Sequence, residues 1–190
     1  METFIAAAHI VCRGARAFTA QGTKQSTGTK ILSICGDCEW PGIYEYPFGV
    51  SVREVLNDCG AQDVLAIQVG GPAGEFISSQ ELDRRIGFED LPTAGSFIVF
   101  NKSRNILEIT RNFTRFFAHE SCGFCTPCRV GTTLLAEQFD KLCSGQKVDI
   151  TELKKIGDLM KQTSHCGLGQ TAANPFLATL TRFPELYANV

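Results

Sequence analysis

The sequence predicts an α+β chain in which a small strand-rich unit with one helix is followed by a short helical bundle. Three observations carry this. Short β-rich runs bounded by glycine and proline are confined to residues 30–101, with one capped helix among them. From Asn105 onward apolar residues recur at helical spacing. A polar, glycine-containing stretch over 22–29 separates the strand-rich unit from an N-terminal helical segment. The expected division is 1–29 (helix and linker), 30–103 (sheet unit) and 104–190 (helical unit).

Residues 1–22 read as an amphipathic helix, with Phe4, Ile5, His9, Ile10 and Phe18 loosely on one side. The apolar stretch from Phe4 to Cys12 and the run Ala15-Arg16-Ala17 resemble a cleaved leader. Such a leader begins with basic charge, whereas Glu2 is the charge here and His9 interrupts the apolar stretch.

Ile31 to Cys35 is the first strand, and Pro41-Gly42 turns the chain into a second at Ile43 to Tyr46. Ser51 is a good N-cap, with Glu54 placed as in a capping box and Val52, Val55 and Leu56 forming an apolar face. That helix ends at Gly60. Val64 to Val69 reads as a buried strand closed by Gly70-Gly71-Pro72, and Phe97 to Phe100 is the last strand. Strands around one helix imply a small sheet with the helix across one face. A ubiquitin-like β-grasp is the natural candidate, although periodicity alone does not select it.

In the helical part Ile106, Ile109, Phe113, Phe116 and Phe117 share helical spacing, with Arg111 and Arg115 on other faces. Val130 to Leu142 continues helical, as does Thr151 to Gln162, where Leu153, Ile156, Leu159 and Met160 form a stripe. Pro175 stands near the start of a last helix through Arg182. Short helices of this kind pack as an antiparallel bundle.

Bulk composition narrows the function classes. The 190 residues are 44% hydrophobic and 20% charged with a formal net charge of −2, which gives no support to nucleic-acid or anionic-membrane binding. No apolar run approaches the roughly 20 residues of a membrane span. The 9 cysteines are an odd number, which disfavours a pure disulfide framework. Clustered cysteines in a reducing compartment point instead to metal or redox chemistry, and so to the cytoplasm.

Cys122, Cys125 and Cys128 are equally spaced between two helical segments, so a tight loop can turn all three thiolates toward one centre. Gly123 permits unusual backbone angles, and Pro127 can open the following helix. The positive end of that helix would face an anionic thiolate cluster, with Arg129 close by. The pattern is nearest to the Cys-x2-Cys-x2-Cys run of ferredoxins, which makes an iron–sulfur cluster, [4Fe–4S], the expected cofactor.

The fourth ligand comes from elsewhere. Cys143 lies at the far end of a straight helix, roughly 20 Å away. Cys166 follows the next helix, which returns toward the cluster if antiparallel, and Gly167 and Gly169 suit a wrapping loop. Geometry prefers Cys166. Structural zinc, the main rival, more often pairs two Cys-x2-Cys knuckles. A metal-free dithiol needs fewer than three equally spaced cysteines. His165 reads as a hydrogen-bonding neighbour of a ligand.

These residues carry a resemblance. Glu120-Ser-Cys-Gly-Phe-Cys-Thr-Pro-Cys-Arg-Val-Gly131 resembles the cluster signature of the flavoprotein NADH-dehydrogenase subunit family. That family includes the NADH-binding subunit of respiratory complex I and the diaphorase subunits of NAD-reducing hydrogenases and formate dehydrogenases. His165-Cys-Gly-Leu-Gly-Gln-Thr-Ala172 with Asn174-Pro175 is similar to its fourth-ligand segment. Gly36-Asp-Cys-Glu-Trp-Pro-Gly42, Tyr44-Glu-Tyr-Pro47 and Val69-Gly-Gly-Pro-Ala-Gly74 resemble its β-grasp module. Cys38 stands where the family usually has an apolar residue, so Cys35 and Cys38 read as sheet residues pointing to opposite faces.

The resemblance implies a relay of single electrons through the cluster, between a flavin/NAD(H) site and a partner redox subunit. Cys122, Cys125, Cys128 and Cys166 are then the ligands, and Gly123, Arg129 and Gly167 tune the potential. The family's large α/β domain, which binds FMN and NADH, is expected upstream of Gly22, and no Gly-x-Gly-x-x-Gly segment occurs here. The chain is thus expected to be a partial member that cannot oxidise NADH alone, with Leu168 to Ala172 facing the flavin domain. Expected partners are other redox subunits, including a small iron–sulfur subunit, with no nucleic acid and no membrane span. The alternative is a docking module with a structural metal site.

Overall fold

Alternation in the first strand sets the sheet's orientation. In β1 (Thr29–Gly36) Leu32 and Ile34 are buried while Ile31, Ser33 and Cys35 face solvent. The computed structural model, which describes residues 1–188, pairs β1 antiparallel with β2 (Gly42–Pro47) and parallel with β5 (Ser96–Asn101). β3 (Val64–Val69) lies antiparallel to β5, and β4 (Glu75–Ser78) antiparallel to β3. The result is a mixed five-stranded sheet of order β2-β1-β5-β3-β4.

After two short N-terminal helices, α1 (Glu2–Arg13) and α2 (Ala15–Thr19), helix α3 (Val52–Asp58) covers one sheet face. Both halves of its capping box form between Ser51 and Glu54, and Gly60 leaves it with φ +67°. Val52, Val55 and Leu56 pack with Leu32, Ile34, Ile67, Val69, Phe97 and Val99.

The sequence pattern does not predict β4. It is four residues long and follows a glycine turn, so only pairing with β3 identifies it. Its consequence is large, because Ile77 joins the α3 side while Phe76 faces the other way, into a core with Ala66, Ile106, Phe113 and Phe183. The second face of the sheet therefore rests on helices. The Phe76 and Phe183 rings meet edge-on at 6.1 Å, and Arg182 reaches Glu75 and Glu81 at 2.6 and 2.7 Å.

Those helices are α4 (Ile106–Glu120), α5 (Thr126–Cys143), α6 (Ile150–Thr163), α7 (Gly167–Thr171) and α8 (Asn174–Arg182), followed by a 3-10 turn over Pro184–Tyr187. Asn105 and Asp149 cap α4 and α6 through their side chains. Gly131 of α5 faces Met160 of α6 so closely that no Cβ fits, and Gly157 of α6 packs on Ala173.

Several elements differ from expectation. The N-terminal helix breaks at Gly14, whose φ of +83° and ψ of 155° cannot continue a helix, and neither α1 nor α2 buries a residue. Residues 22–28 form a pinned turn in which the Thr23 and Ser26 hydroxyls donate to the Glu89 carboxylate. Phe116 and Leu159 are exposed, while Thr110 and Thr114 take buried positions on α4. Their hydroxyls donate to the carbonyls of Ile106 and Arg111, each at 2.8 Å, which makes that burial tolerable. Cys38 lies beyond the end of β1, not within the sheet. Among the described residues no helix is long and apolar enough to cross a membrane.

Candidate metal centre

Helix α4 stops at Glu120, and Ser121 turns extended to release the chain. Gly123 adopts φ +75°, a conformation that suits glycine. Cys125 then occupies the N-cap position of α5, with Pro127 in its first turn and Cys128 just behind. Arg129 holds the loop shut, since its guanidinium donates to the Gly123 carbonyl at 2.5 Å and to the Thr126 hydroxyl at 3.4 Å. The Ser121 hydroxyl lies 3.3 Å from the Cys128 sulfur.

The second segment arrives from α6. Ser164 ends that helix, and Cys166 takes the N-cap position of α7. The neighbouring backbone amides of His165 and Cys128 hold the Cys125 thiol below its ordinary pKa. The imidazole of His165 does something else, sitting 5.6 Å from the Phe124 ring. A Cβ on Gly169 would come 2.5 Å from the Ser164 hydroxyl and 2.9 Å from the Cys128 Cβ, so α7 is pressed onto the start of α5.

The structure thus brings the loop of Cys122, Cys125 and Cys128 against the segment bearing Cys166. Cys125 and Cys128 are buried; Cys122 and Cys166 are exposed. Among the described residues no three His, Cys, Asp or Glu side chains are grouped so as to hold a single metal ion. Cys143 ends α5, about 22 Å along the helix from Cys128. There it lies among Glu108, Arg111, Asp140 and Arg115, and burial raises its thiol pKa.

The residues fit an iron–sulfur cluster on two further counts. Thiolate donors at a helix N-terminus suit a soft, anionic metal–sulfide group. The Ser164 hydroxyl is buried beside Cys128 with no hydrogen-bond partner among the described residues, an arrangement that a neighbouring sulfide or thiolate would satisfy. Spacing alone found the cysteines. It did not find Ser164 or Ser121, because nothing local in the sequence shows which hydroxyls face a sulfur.

Residues 108–190 match a family described as the NADH-ubiquinone oxidoreductase-F iron-sulfur binding region. The chain is 44% identical to the alpha subunit of the NAD-reducing hydrogenase HoxS of Cupriavidus necator, an alignment covering 100% of this chain and 32% of that protein. It is 34% identical to HndC, part of the NADP-reducing hydrogenase of Solidesulfovibrio fructosivorans, covering 98% and 41%. It is 31% identical to the F component of the NADH-quinone oxidoreductase of Mycobacterium bovis, covering 98% and 45%. A crystal structure of an NAD+-reducing [NiFe]-hydrogenase in the H2-reduced state superposes with a TM-score of 0.96 at 40% identity, covering 100% of this chain and 34% of that one. The chain spans less than half the length of each of these relatives. Residues 108–190 are thus similar to the NADH-ubiquinone oxidoreductase-F iron–sulfur binding region, a [4Fe–4S] region, within a chain similar to part of NAD-reducing hydrogenase and NADH-quinone oxidoreductase subunits.

Proposed function

We propose that the chain is the electron-relay segment of an NAD(H)-linked oxidoreductase, with Cys122, Cys125, Cys128 and Cys166 holding a [4Fe–4S] cluster. When bound, that cluster supplies reversible one-electron transfer, which a two-electron hydride carrier cannot provide. The carrying observation is the close packing of Gly169 on Cys128, with the His165 ring 5.6 Å from that of Phe124, which supports Cys166 as the fourth ligand beside the three-cysteine loop.

The chain's own residues hold and tune the site. Burial of Cys125 and Cys128 keeps water from one side, while exposure of Cys122 and Cys166 leaves the other open to an electron partner. Arg129 keeps a positive charge on the loop, and the amides around Cys125 favour thiolate over thiol. FMN and NAD(H) belong to an upstream domain of the whole protein, and a small iron–sulfur subunit is the expected electron partner, in the cytoplasm. The sheet unit, 30–103, is a β-grasp module and 104–190 the cluster module; the order β2-β1-β5-β3-β4 with α3 across one face supports the first assignment.

Anaerobic purification followed by iron and sulfide analysis and electron paramagnetic resonance tests this reading. The expected result is iron and sulfide in [4Fe–4S] proportions and a signal that dithionite develops reversibly. A colourless chain with stoichiometric zinc would overturn it.

A further inference from the structure

A second group of thiols lies in the sheet unit, apart from the cluster segments. β1 ends at Gly36, whose φ of +96° and close approach to the Val99 carbonyl leave no room for a side chain. The chain turns off the sheet there, with the Asp37 N–H donating to the Val99 carbonyl at 2.9 Å and the Cys38 N–H to that of Gly36 at 3.1 Å. It then crosses the end of α3. The Trp40 N–H donates to the Cys59 carbonyl at 3.0 Å, and a Cβ on Gly60 would lie 2.9 Å from the Glu39 Cβ and 3.1 Å from the Trp40 ring. The Tyr44 hydroxyl donates to the Trp40 carbonyl at 2.7 Å and pins the same loop from β2.

This crossing brings Cys38 to the end of α3 that bears Cys59. Cys59 is a fully buried member of the α3 core, and half-buried Cys38 packs against that core. Cys35 sits on β1 with its neighbours Leu32 and Ile34 turned inward, so it is exposed and leaves Cys38 as the thiol facing Cys59.

We propose that Cys38 and Cys59 are a reversible disulfide-forming pair, a modification site that reacts with low-molecular-weight disulfides. The Cys38 thiolate attacks one sulfur of R–S–S–R; that bond breaks, and the departing thiolate takes up the Cys38 proton as RSH. The Cys59 sulfur then attacks the Cys38 sulfur of the mixed disulfide, expelling the second RS group, which takes the Cys59 proton. Two protein thiols are oxidised by two electrons in total, and one small disulfide is reduced to two thiols.

Access sets the order of the two steps. Cys59 is sealed, so a reagent reaches the pair through Cys38. Burial and the adjacent Cys38 push the Cys59 thiol up to about 11, which keeps it neutral and leaves Cys38 as the thiol that attacks the reagent first. The bond fixes the segment that bears Asp37, whose carboxylate accepts from the Asn101 N–H at 3.0 Å and from the Arg104 guanidinium at 2.6 Å. Oxidation therefore clamps the sheet at the point where the chain leaves it for α4.

The test is treatment of the full chain with oxidised glutathione under anaerobic conditions, then alkylation and peptide mass spectrometry. The expected product is a peptide pair joining Cys38 to Cys59, two hydrogens lighter than the free thiols, reverted by dithiothreitol and unchanged in Cys35→Ser. Cys59→Ser alters the core and can unfold the chain, so Cys38→Ser carries the control: in it Cys59 stays a free thiol, alkylated only after denaturation. A Cys35–Cys38 link, a stable glutathione adduct on Cys38, or an unmodified Cys38 would each overturn the proposal.

Discussion

The His165 imidazole lies 5.6 Å from the Phe124 ring, joining the segment that bears Cys166 to the loop of Cys122, Cys125 and Cys128. That contact depends on helix packing at the start of α5. Gly131 lets α6 approach α5, and Gly169 lets α7 settle on Cys128. A cluster site here is a consequence of how three helices meet, and substitutions at those contacts should disturb it.

Gly169→Ala places a methyl group against the Ser164 hydroxyl and the Cys128 Cβ, at 2.5 and 2.9 Å. Relief requires α7 to move away from α5. Thermal unfolding should show a loss of about 1–3 kcal/mol, with reduced iron per chain. Gly167→Ala is the stability control, since no protein atom lies within 4 Å of its added Cβ, and it should leave the thermal midpoint near the parent.

Arg182 fixes α8 to the sheet through Glu75 and Glu81 from a largely buried position. Arg182→Ala should destabilise the chain by about 2 kcal/mol, since it leaves two half-buried carboxylates sharing the more distant Arg84. Denaturant unfolding of Arg182→Ala alongside Glu81→Gln measures it. Parent-like midpoints in both would show that the apolar core of Phe76, Ile106, Phe113 and Phe183 holds the two layers together without the ion pairs.

Acid should weaken this joint and the one between Asp37 and Arg104. Arg104 and the Asn101 N–H lower the pKa of Asp37, and for Glu81, where burial opposes, Arg182 and the Ser78 N–H lower it on balance. Groups with depressed folded values stabilise fully above their ordinary values, 3.8 and 4.5, and lose that contribution as pH falls through the lowered ones. The thermal midpoint should therefore drop steeply below about pH 4.5, and Asp37→Asn with Glu81→Gln should flatten the slope. An unchanged slope in the double variant would show that these carboxylates do not govern the acid response.

Legibility followed the range of the interactions. The Ser51–Glu54 cap, the β1–β2 turn at Pro41-Gly42 and the three-cysteine loop rest on neighbours within a few residues, and each stands in the structure where spacing put it. β4 does not, because Glu75–Ser78 carries no periodicity long enough to detect and exists through β3. Thr110 and Thr114 read as polar, yet their hydroxyls turn back to their own helix and go inside. The role of His165 was legible only as a position, since its ring meets Phe124, a residue far from it in the chain.

Exchange of single cysteines tests the cluster assignment most directly. Iron content and the electron paramagnetic resonance spectrum should be compared for Cys166→Ser and Cys143→Ser chains purified anaerobically. With Cys166 as the fourth ligand, Cys166→Ser loses or alters the cluster while Cys143→Ser keeps the parent spectrum. Retention in Cys166→Ser with loss in Cys143→Ser would contradict it.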